Sequence, residues 1–289
     1  MSAETASVDD RPAPSDRRAP GPAVVTAPSA VPGARAGHPY TLAIDIGGTG
    51  LKASVLDAAG TMVADRVRVP TTYPMSPQSL VERLEGLVEK LPEADRVSAG
   101  FPGMVRGGVI LSAAHFVTVS GPGSDVDPEL TRAWDHFDLA AALQQTTGKP
   151  TRVANDADVQ GLAVVEGAGL ELVVTLGTGF GTAYFLDGAL MPHLEIAHQP
   201  FRKGETYNEQ VGELTRKQIG DGRWNRRVVK AIDTMAELFF YDRLYLGGGN
   251  ARRVDRDGLG DRLDKITVVD NRAGILGGIK LWQDKHLGV

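Results

Sequence analysis

The chain carries one pattern twice, a strand, a cluster of glycines and a second strand, and that doubling restricts its architecture more than any other feature. Residues 42–58 read LAIDIGGTGLKASVLDA and residues 172–188 read LVVTLGTGFGTAYFLDG, one lying on the other at an offset of 130 positions. Both close on Leu-Asp, Leu56-Asp57 in the first copy and Leu186-Asp187 in the second. A P-loop is excluded, because Lys52 follows Leu51 and the next residue is Ala53, where Lys-Ser/Thr should follow the glycine. A dinucleotide fingerprint needs a helix after its glycines, whereas Leu51–Leu56 reads as a strand. Taken singly, each copy is equally an ordinary hairpin. Taken together, each opens a strand-rich half followed by helices. Two such halves facing one another would aim two sets of backbone N–H groups at phosphate oxygens across one cleft.

The order of elements predicts an α/β fold. SPQSLVERLEGLVEKL, with Ser76 as N-cap and Pro77 in the first turn, has apolar residues at 80, 81, 84, 87, 88 and 91, a helical period. RVSAGFPGMV reads as a buried strand, followed by a long Gly/Pro-bearing connection and a helix from about Asp138 to Thr147 that stops at Gly148. TRVANDADVQGLAVVEGAG is a short strand turning into a helix at Asn155-Asp156. The longest helix covers RWNRRVVKAIDTMAELFF, then come strand RLYLGGG, a helix after Asn250, strand KITVVD and a last helix RAGILGGIKLWQD.

Residues 1–38 differ in kind: six of the 17 prolines fall there among alanine, serine and scattered charge, which predicts a disordered tail. A secretory leader would need an unbroken apolar core, and GPAVVTAPSAVPGA is interrupted by proline throughout. The net charge of −5 gives no sign of a nucleic-acid partner, and no apolar run has the length to span a membrane. The absence of cysteine excludes disulfides, thiolate zinc sites and a cysteine nucleophile, and fits a reducing, cytoplasmic compartment.

Five segments together resemble the ROK family within the sugar-kinase branch of the actin-like ATPases, and more narrowly its polyphosphate glucokinase group. DIGGTGLK is similar to the family's first phosphate motif, LGTGFGTA to its second, VANDADVQG to its catalytic segment, EIAH to its sugar-binding Glu-x-Gly-His, and LYLGGGNA to its adenosine-side segment. The resemblance runs from residue 41 to 285. It implies two similar actin-like (ribonuclease H-like) domains, 39–154 and 155–270, around an interdomain cleft, with 271–289 packing back on the first. It further implies a kinase that uses polyphosphate or ATP, with Mg2+, to phosphorylate a hexose, glucose at its 6-hydroxyl, and that forms a homodimer.

On the matching positions the resemblance puts Asp156 as general base. It assigns Asn155, Asp156, Glu195 and His198 to the sugar, and Gly47, Gly48, Thr49, Gly50, Lys52, Gly177, Thr178, Gly179 and Gly181 to the phosphates. Gly247, Gly248, Gly249 and Asn250 fall on the adenosine side, and Asp45 on magnesium, directly or through water. The residues themselves allow plainer roles. Asp156 could be a helix cap, although a helix N-terminus would also favour the ionised form that a base requires. Asp45 could be a strand-end acid, Lys52 a strand lysine facing solvent, and His198 a structural or exposed histidine. Phosphoryl transfer itself needs only a base, phosphate clamps and a metal ion.

The chain also departs from the family pattern. Ala197 replaces the glycine before His198, and QPFRKGETYNEQVGE, with no cysteine, stands where many members carry a zinc segment, so no zinc is expected and His198 is not a ligand. Ala114-His115-Phe116 stands where an acceptor-loop asparagine is common, which leaves sugar contacts there unassigned. RKQIGDGRWNRRVVK holds Arg216, Lys217, Arg223, Arg226, Arg227 and Lys230 against Asp221 alone, with Arg202-Lys203 nearby, and reads as a polyphosphate track or as a solvated helix face. The rival readings are an ATP-only kinase for another hexose, a sugar-responsive regulator and a non-catalytic scaffold. The regulator lacks a helix-turn-helix pattern in its proline-rich tail, and the Asn155-Asp156 pair argues against the scaffold.

Overall fold

The computed structural model describes residues 38–113, 115–269 and 273–283. The tail reading therefore falls outside the described residues, except at His38, whose Nδ1 lies 2.6 Å from Asp95 Oδ2.

β1 (Thr41–Gly47) and β2 (Gly50–Leu56) form the first predicted hairpin, in register from Thr41↔Leu56 to Gly47↔Gly50. β3 (Val67–Val69) extends it antiparallel. α1 (Pro77–Val88) starts where its signals predict, with the Ser76 side chain accepting from Ser79 N–H. It buries Leu80, Val81, Leu84 and Leu87, a gross gain of ~6–12 kcal/mol before chain entropy. β4 (Arg96–Phe101) lies parallel to β1. A small sheet of β5 (Met104–Arg106), β6 (Val109–Ser112) and β7 (Phe137–Asp138) follows, with α2 (Pro128–Trp134) before its last strand. α3 (Leu139–Thr147) is capped by Asp138 and stopped by Gly148 at φ 65°. β8 (Thr151–Asn155) then completes a sheet ordered β3-β2-β1-β4-β8.

The second half repeats this plan. After α4 (Asp156–Val164) come β9 (Leu170–Leu176), β10 (Phe180–Leu186) and β11 (Ala189–Leu190). β12 (Pro200–Arg202) and β13 (Glu205–Thr206) form a ribbon, followed by α5 (Tyr207–Val211), α6 (Glu213–Ile219) and α7 (Asp221–Phe239). β14 (Arg243–Gly247) and β15 (Ile266–Val268) finish a sheet ordered β11-β10-β9-β14-β15. In both sheets the hairpin side is antiparallel and the far side parallel. The central parallel strands are buried with little alternation because both faces are covered. The described fold is thus mixed α/β with an internally repeated sheet.

α8 (Ala273–Lys280) seats Ile275 and Ile279 against Ala43 and Leu56. Glycines permit the approach: a Cβ on Gly278 would sit 3.1 Å from that of Ala43, and one on Gly277 would collide with the Val159 carbonyl. Ser98 Oγ donates to Gly278 O at 2.5 Å and accepts from Trp282 Nε1 at 2.9 Å. The Arg96 and Arg152 guanidinium carbons lie 5.1 and 4.8 Å from the Trp282 ring centroid.

The stretch after Asn250 differs from the expected helix. It forms 3-10 turns over Ala251–Arg253 and Asp257–Lys265, the second broken at Gly260 (φ 54°, ψ −138°). α2 arises inside the segment that reads as a connection, and α5 and α6 in a stretch to which the sequence reading assigns no element.

Candidate active site

Both glycine turns are built so that their carbonyls are occupied from behind. Thr71 Oγ1 donates to Gly47 O at 2.6 Å, and the Tyr73 hydroxyl to Gly48 O at 2.8 Å. In the second turn Glu213 N–H donates to Gly177 O at 3.1 Å and Thr178 O at 3.2 Å, while Asn250 Nδ2 reaches Gly177 O at 3.3 Å. What such turns offer a ligand is their amide edge, which suits phosphate oxygens. Thr49 and Thr178 sit at the two tips, Gly48-Thr49 between β1 and β2 and Gly177-Thr178-Gly179 between β9 and β10. Gly181 is not in the turn. It lies inside β10, where a Cβ would be 3.2 Å from that of Ala157, so it admits the foot of α4.

Of the adenosine-side residues, Gly247 ends β14 and Gly248 turns at φ 84° against the Leu176 backbone. Gly249 is exposed, while Asn250 is buried and braces the second turn, with its backbone N–H on Leu176 O (2.8 Å) and Nδ2 on Glu213 Oε2 (2.8 Å). Glu213 also holds Arg216 in a two-point pair, and those bonds draw its carboxyl down to about 2.

The strand-to-helix junction separates two jobs. Asn155 is the N-cap: its Oδ1 accepts from Ala157 N–H at 2.7 Å and its Nδ2 donates to Gly103 O at 2.9 Å. Asp156, the first helical residue, is spared that role and only half-buried, though its Oδ1 also accepts from Ala157 N–H at 2.9 Å. Gly100 makes room for it, since a Cβ there would sit 3.3 Å from Asp156 Cα. The helix N-terminus does not set the titration of Asp156 as expected. Burial, then the nearby Asp45 charge, push its carboxyl up to about 7. That value favours a group that must accept a proton near neutral pH.

Asp45 and Lys52 are cross-strand partners, and Lys52 Nζ lies 2.7 Å from Asp45 Oδ2. Lys52 therefore does not simply point to solvent. Among the described residues no cluster of three or more His, Asp or Glu side chains could hold a metal. Magnesium bound with donor phosphates needs only one or two carboxylates, and Asp45, beside the first turn and near Asp156, fits that need.

A group of histidines and acids also acts on Asp156, Glu195 raising it and His193 lowering it. Glu195 is half-buried and precedes the 3-10 turn Ile196–His198, on which His198 is exposed. Burial would raise the Glu195 carboxyl, but His193, then His198 and His115, outweigh it and hold it low. His115, unassigned from sequence, belongs here. Burial and the His198 charge lower its imidazole, and its ring carbon would lie 3.6 Å from a Cβ on Gly48. A cavity of about 480 Å³ opens beside it, lined by His115, Pro122, Thr178, Asn208, Glu209 and Arg227 among others.

Sequence reading also missed Asn208, whose Oδ1 accepts from Phe180 N–H at 2.7 Å behind the second turn, and the buried pair Asp158–His193. The basic segment is partly neutralised: Arg216 pairs with Glu213 and Asp221, and Lys230 lies over the Phe201 ring at 5.7 Å. Arg223 and Arg226 are exposed, and Arg227 lines the cavity.

A doubled β-sheet plan whose leading hairpins each end in a glycine turn is the plan of an actin-like fold, and comparison with known proteins sharpens this. The ROK family model matches residues 41–194. The polyphosphate glucokinase of Mycobacterium tuberculosis (strain ATCC 25618 / H37Rv) is 29% identical over 247 residues, 81% of this chain and 88% of that one. The crystal structure of the inorganic polyphosphate/ATP-glucomannokinase from Arthrobacter sp. strain KM is similar at TM-score 0.68 and 31% identity, over 83% of this chain and 97% of that one. A ROK family glucokinase from Streptomyces griseus, solved with glucose and AMPPNP, shares the fold at TM-score 0.65 and 18% identity, over 84% and 98%. The chain belongs to the ROK family. Within it, the chain is a sugar kinase with the two-domain, actin-like ATPase fold.

Proposed function

We propose that the chain transfers the terminal phosphoryl group of polyphosphate or ATP to the 6-hydroxyl of glucose, with Asp156 as general base. The observation that carries this reading is the division of labour at the head of α4. Asn155 caps the helix, which spares the Asp156 carboxylate that role; it lies within the influence of Asp45, beside the first turn, and of Glu195, with a titration near 7. Asp156 would take the hydroxyl proton as the sugar oxygen forms its bond to phosphorus and the bond to the departing phosphate oxygen breaks. The amides around Gly47–Gly50 and Gly177–Gly179, with Thr49, Thr178 and Lys52, hold the donor. Magnesium, when bound with the donor beside Asp45, supplies neutralising charge. Glu195 and His198 orient the sugar; Asn155, one N–H and one lone pair still unused, is in place to add a contact. The reading takes 39–154 and 155–270 as two lobes, and the packing of Ile275 and Ile279 on Ala43 and Leu56 supports a closing segment, 271–289, that returns to the first. A cytoplasmic homodimer completes the reading.

A coupled assay for sugar phosphate, run as a matrix of donors (polyphosphate, ATP) against hexoses with magnesium, tests it directly. Mannose belongs in the matrix because the Arthrobacter relative is named a glucomannokinase. Glucose 6-phosphate formation with polyphosphate is expected. Turnover of another hexose in preference to glucose would redirect the reading, and no sugar phosphate with either donor would end it.

A further inference from the structure

His193 is a buried ring between two acids. Its Nδ1 lies 2.9 Å from Asp158 Oδ1, and its Nε2 lies 3.8 Å from Glu195 Oε2. The His193 and Asp158 side chains are each 5% exposed, and Nε2 has no hydrogen-bond partner among the described residues. Such a nitrogen is costly if neutral and solvent-free, yet well placed if protonated and facing a carboxylate. Asp158 sits two residues beyond Asp156 on α4, so the ring links the helix carrying the proposed base to the residue proposed to hold the sugar.

We propose that His193 is a positioning residue for glucose recognition: held as an imidazolium by Asp158, it keeps the Glu195 carboxylate ionised and aimed at the sugar. This rests on the reading of Glu195 as a sugar contact. An ionised carboxylate only accepts, so it binds two donated hydroxyl protons; a protonated one loses that capacity. Burial of Glu195 works toward protonation, and the neighbouring cation opposes it. The other groups acting on Glu195 are His198 and His115; burial, with Glu195 adding to it, raises Asp158 and Asp156, and His193 opposes the rise at both, most directly at Asp158 through their 2.9 Å contact. Burial alone would push the His193 imidazole down, but Asp158 and Glu195 push it up to about 10, so it stays charged through the working range.

The test is His193→Gln, with steady-state kinetics from pH 5.5 to 8.5 and calorimetry of glucose binding without donor. In the native enzyme the glucose KM should be insensitive to Glu195 titration over this range. In the variant the KM should rise by ~10-fold or more at pH 6 and recover toward pH 8.5 as Glu195 ionises unaided, while kcat falls only through the smaller effect of losing the His193 charge that lowers Asp156. A merely structural role would give a penalty equal at every pH, and that result overturns the proposal. In a Glu195→Gln background the His193→Gln change should add less than ~2-fold; full additivity would also overturn it. Should the variant fail to fold, 15N NMR of the histidine-labelled native protein decides. One of the six histidines must keep both ring nitrogens protonated at pH 8, and six neutral rings refute the idea. Native enzyme inactive on glucose would instead count against the parent reading.

Discussion

Replacing Asp156 by Asn should move activity and stability in opposite directions. The amide keeps the size of the side chain and can still accept from Ala157 N–H, while Asn155 retains the cap. Loss of a positioned base typically costs ~10²–10⁴ in rate, and turnover should fall by that much with glucose binding retained. Stability is argued from the raised titration. An aspartate lifted from the ordinary 3.8 to about 7 is protonated more readily in the folded than in the unfolded chain. Its ionisation therefore opposes folding: the penalty is absent below pH 4, grows between 4 and 7, and is complete above 7. Taken at face value it would be ~4 kcal/mol, and partial solvation of the carboxyl reduces that to ~2 kcal/mol. Asn removes the penalty, so melting at pH 8 should rise by ~4–8 °C, and the gain should vanish at pH 4. The native rate should itself climb through pH 7, because Asp156 is ~10% ionised at pH 6 and ~90% at pH 8. Calorimetric melting and single-turnover rates over this range are the assays. Near-normal turnover, or a lower melting temperature at pH 8, would refute the reasoning.

Asn155→Ala removes two buried bonds at once, the cap to Ala157 N–H and the donation to Gly103 O, and should destabilise by ~2–4 kcal/mol in urea unfolding. Gly248→Ala places a side chain at φ 84° against the Leu176 backbone; it should lower stability by more than ~1 kcal/mol and raise the KM for both donors. Polyphosphate KM should rise more steeply with potassium chloride than ATP KM, since a longer polyanion releases more counterions. Arg226→Glu with Arg227→Glu should harm the polyphosphate reaction more, and equal loss with both donors would remove these arginines from the track.

Much of the architecture was legible because it is locally encoded. The hairpins at 42–58 and 172–188, and the caps at Ser76, Asp138 and Gly148, each announce themselves within a few residues. The short helices α2 and α5 escaped although their signals were present: Asp127 before Pro128, and a Thr206–Glu209 capping box. Five to seven residues are too few to show a period. After Asn250 a helix was expected, but Gly258 and Gly260 weaken it and only 3-10 turns form. The site divided in the same way. Motif residues could be named from sequence, whereas His193 could not, because its Asp158 partner is 35 positions away and only folding brings them together. The raised titration of Asp156 was likewise invisible, since it depends on enclosure and on Asp45, more than a hundred positions earlier.

The seating of α8 on β1 and β2 sets a timetable for synthesis. Ala43 and Leu56 are among the earliest described residues to leave the ribosome, and Ile275 and Ile279, which cover them, are among the last. At typical elongation rates the intervening residues take ~10–50 s to make. Through that interval the Ala43–Leu56 patch of the first sheet lacks its α8 cover. The amino-terminal half is thus finished last, and a nascent chain stalled short of Ala273 should expose that patch and bind chaperones, while release of the completed chain should end the binding.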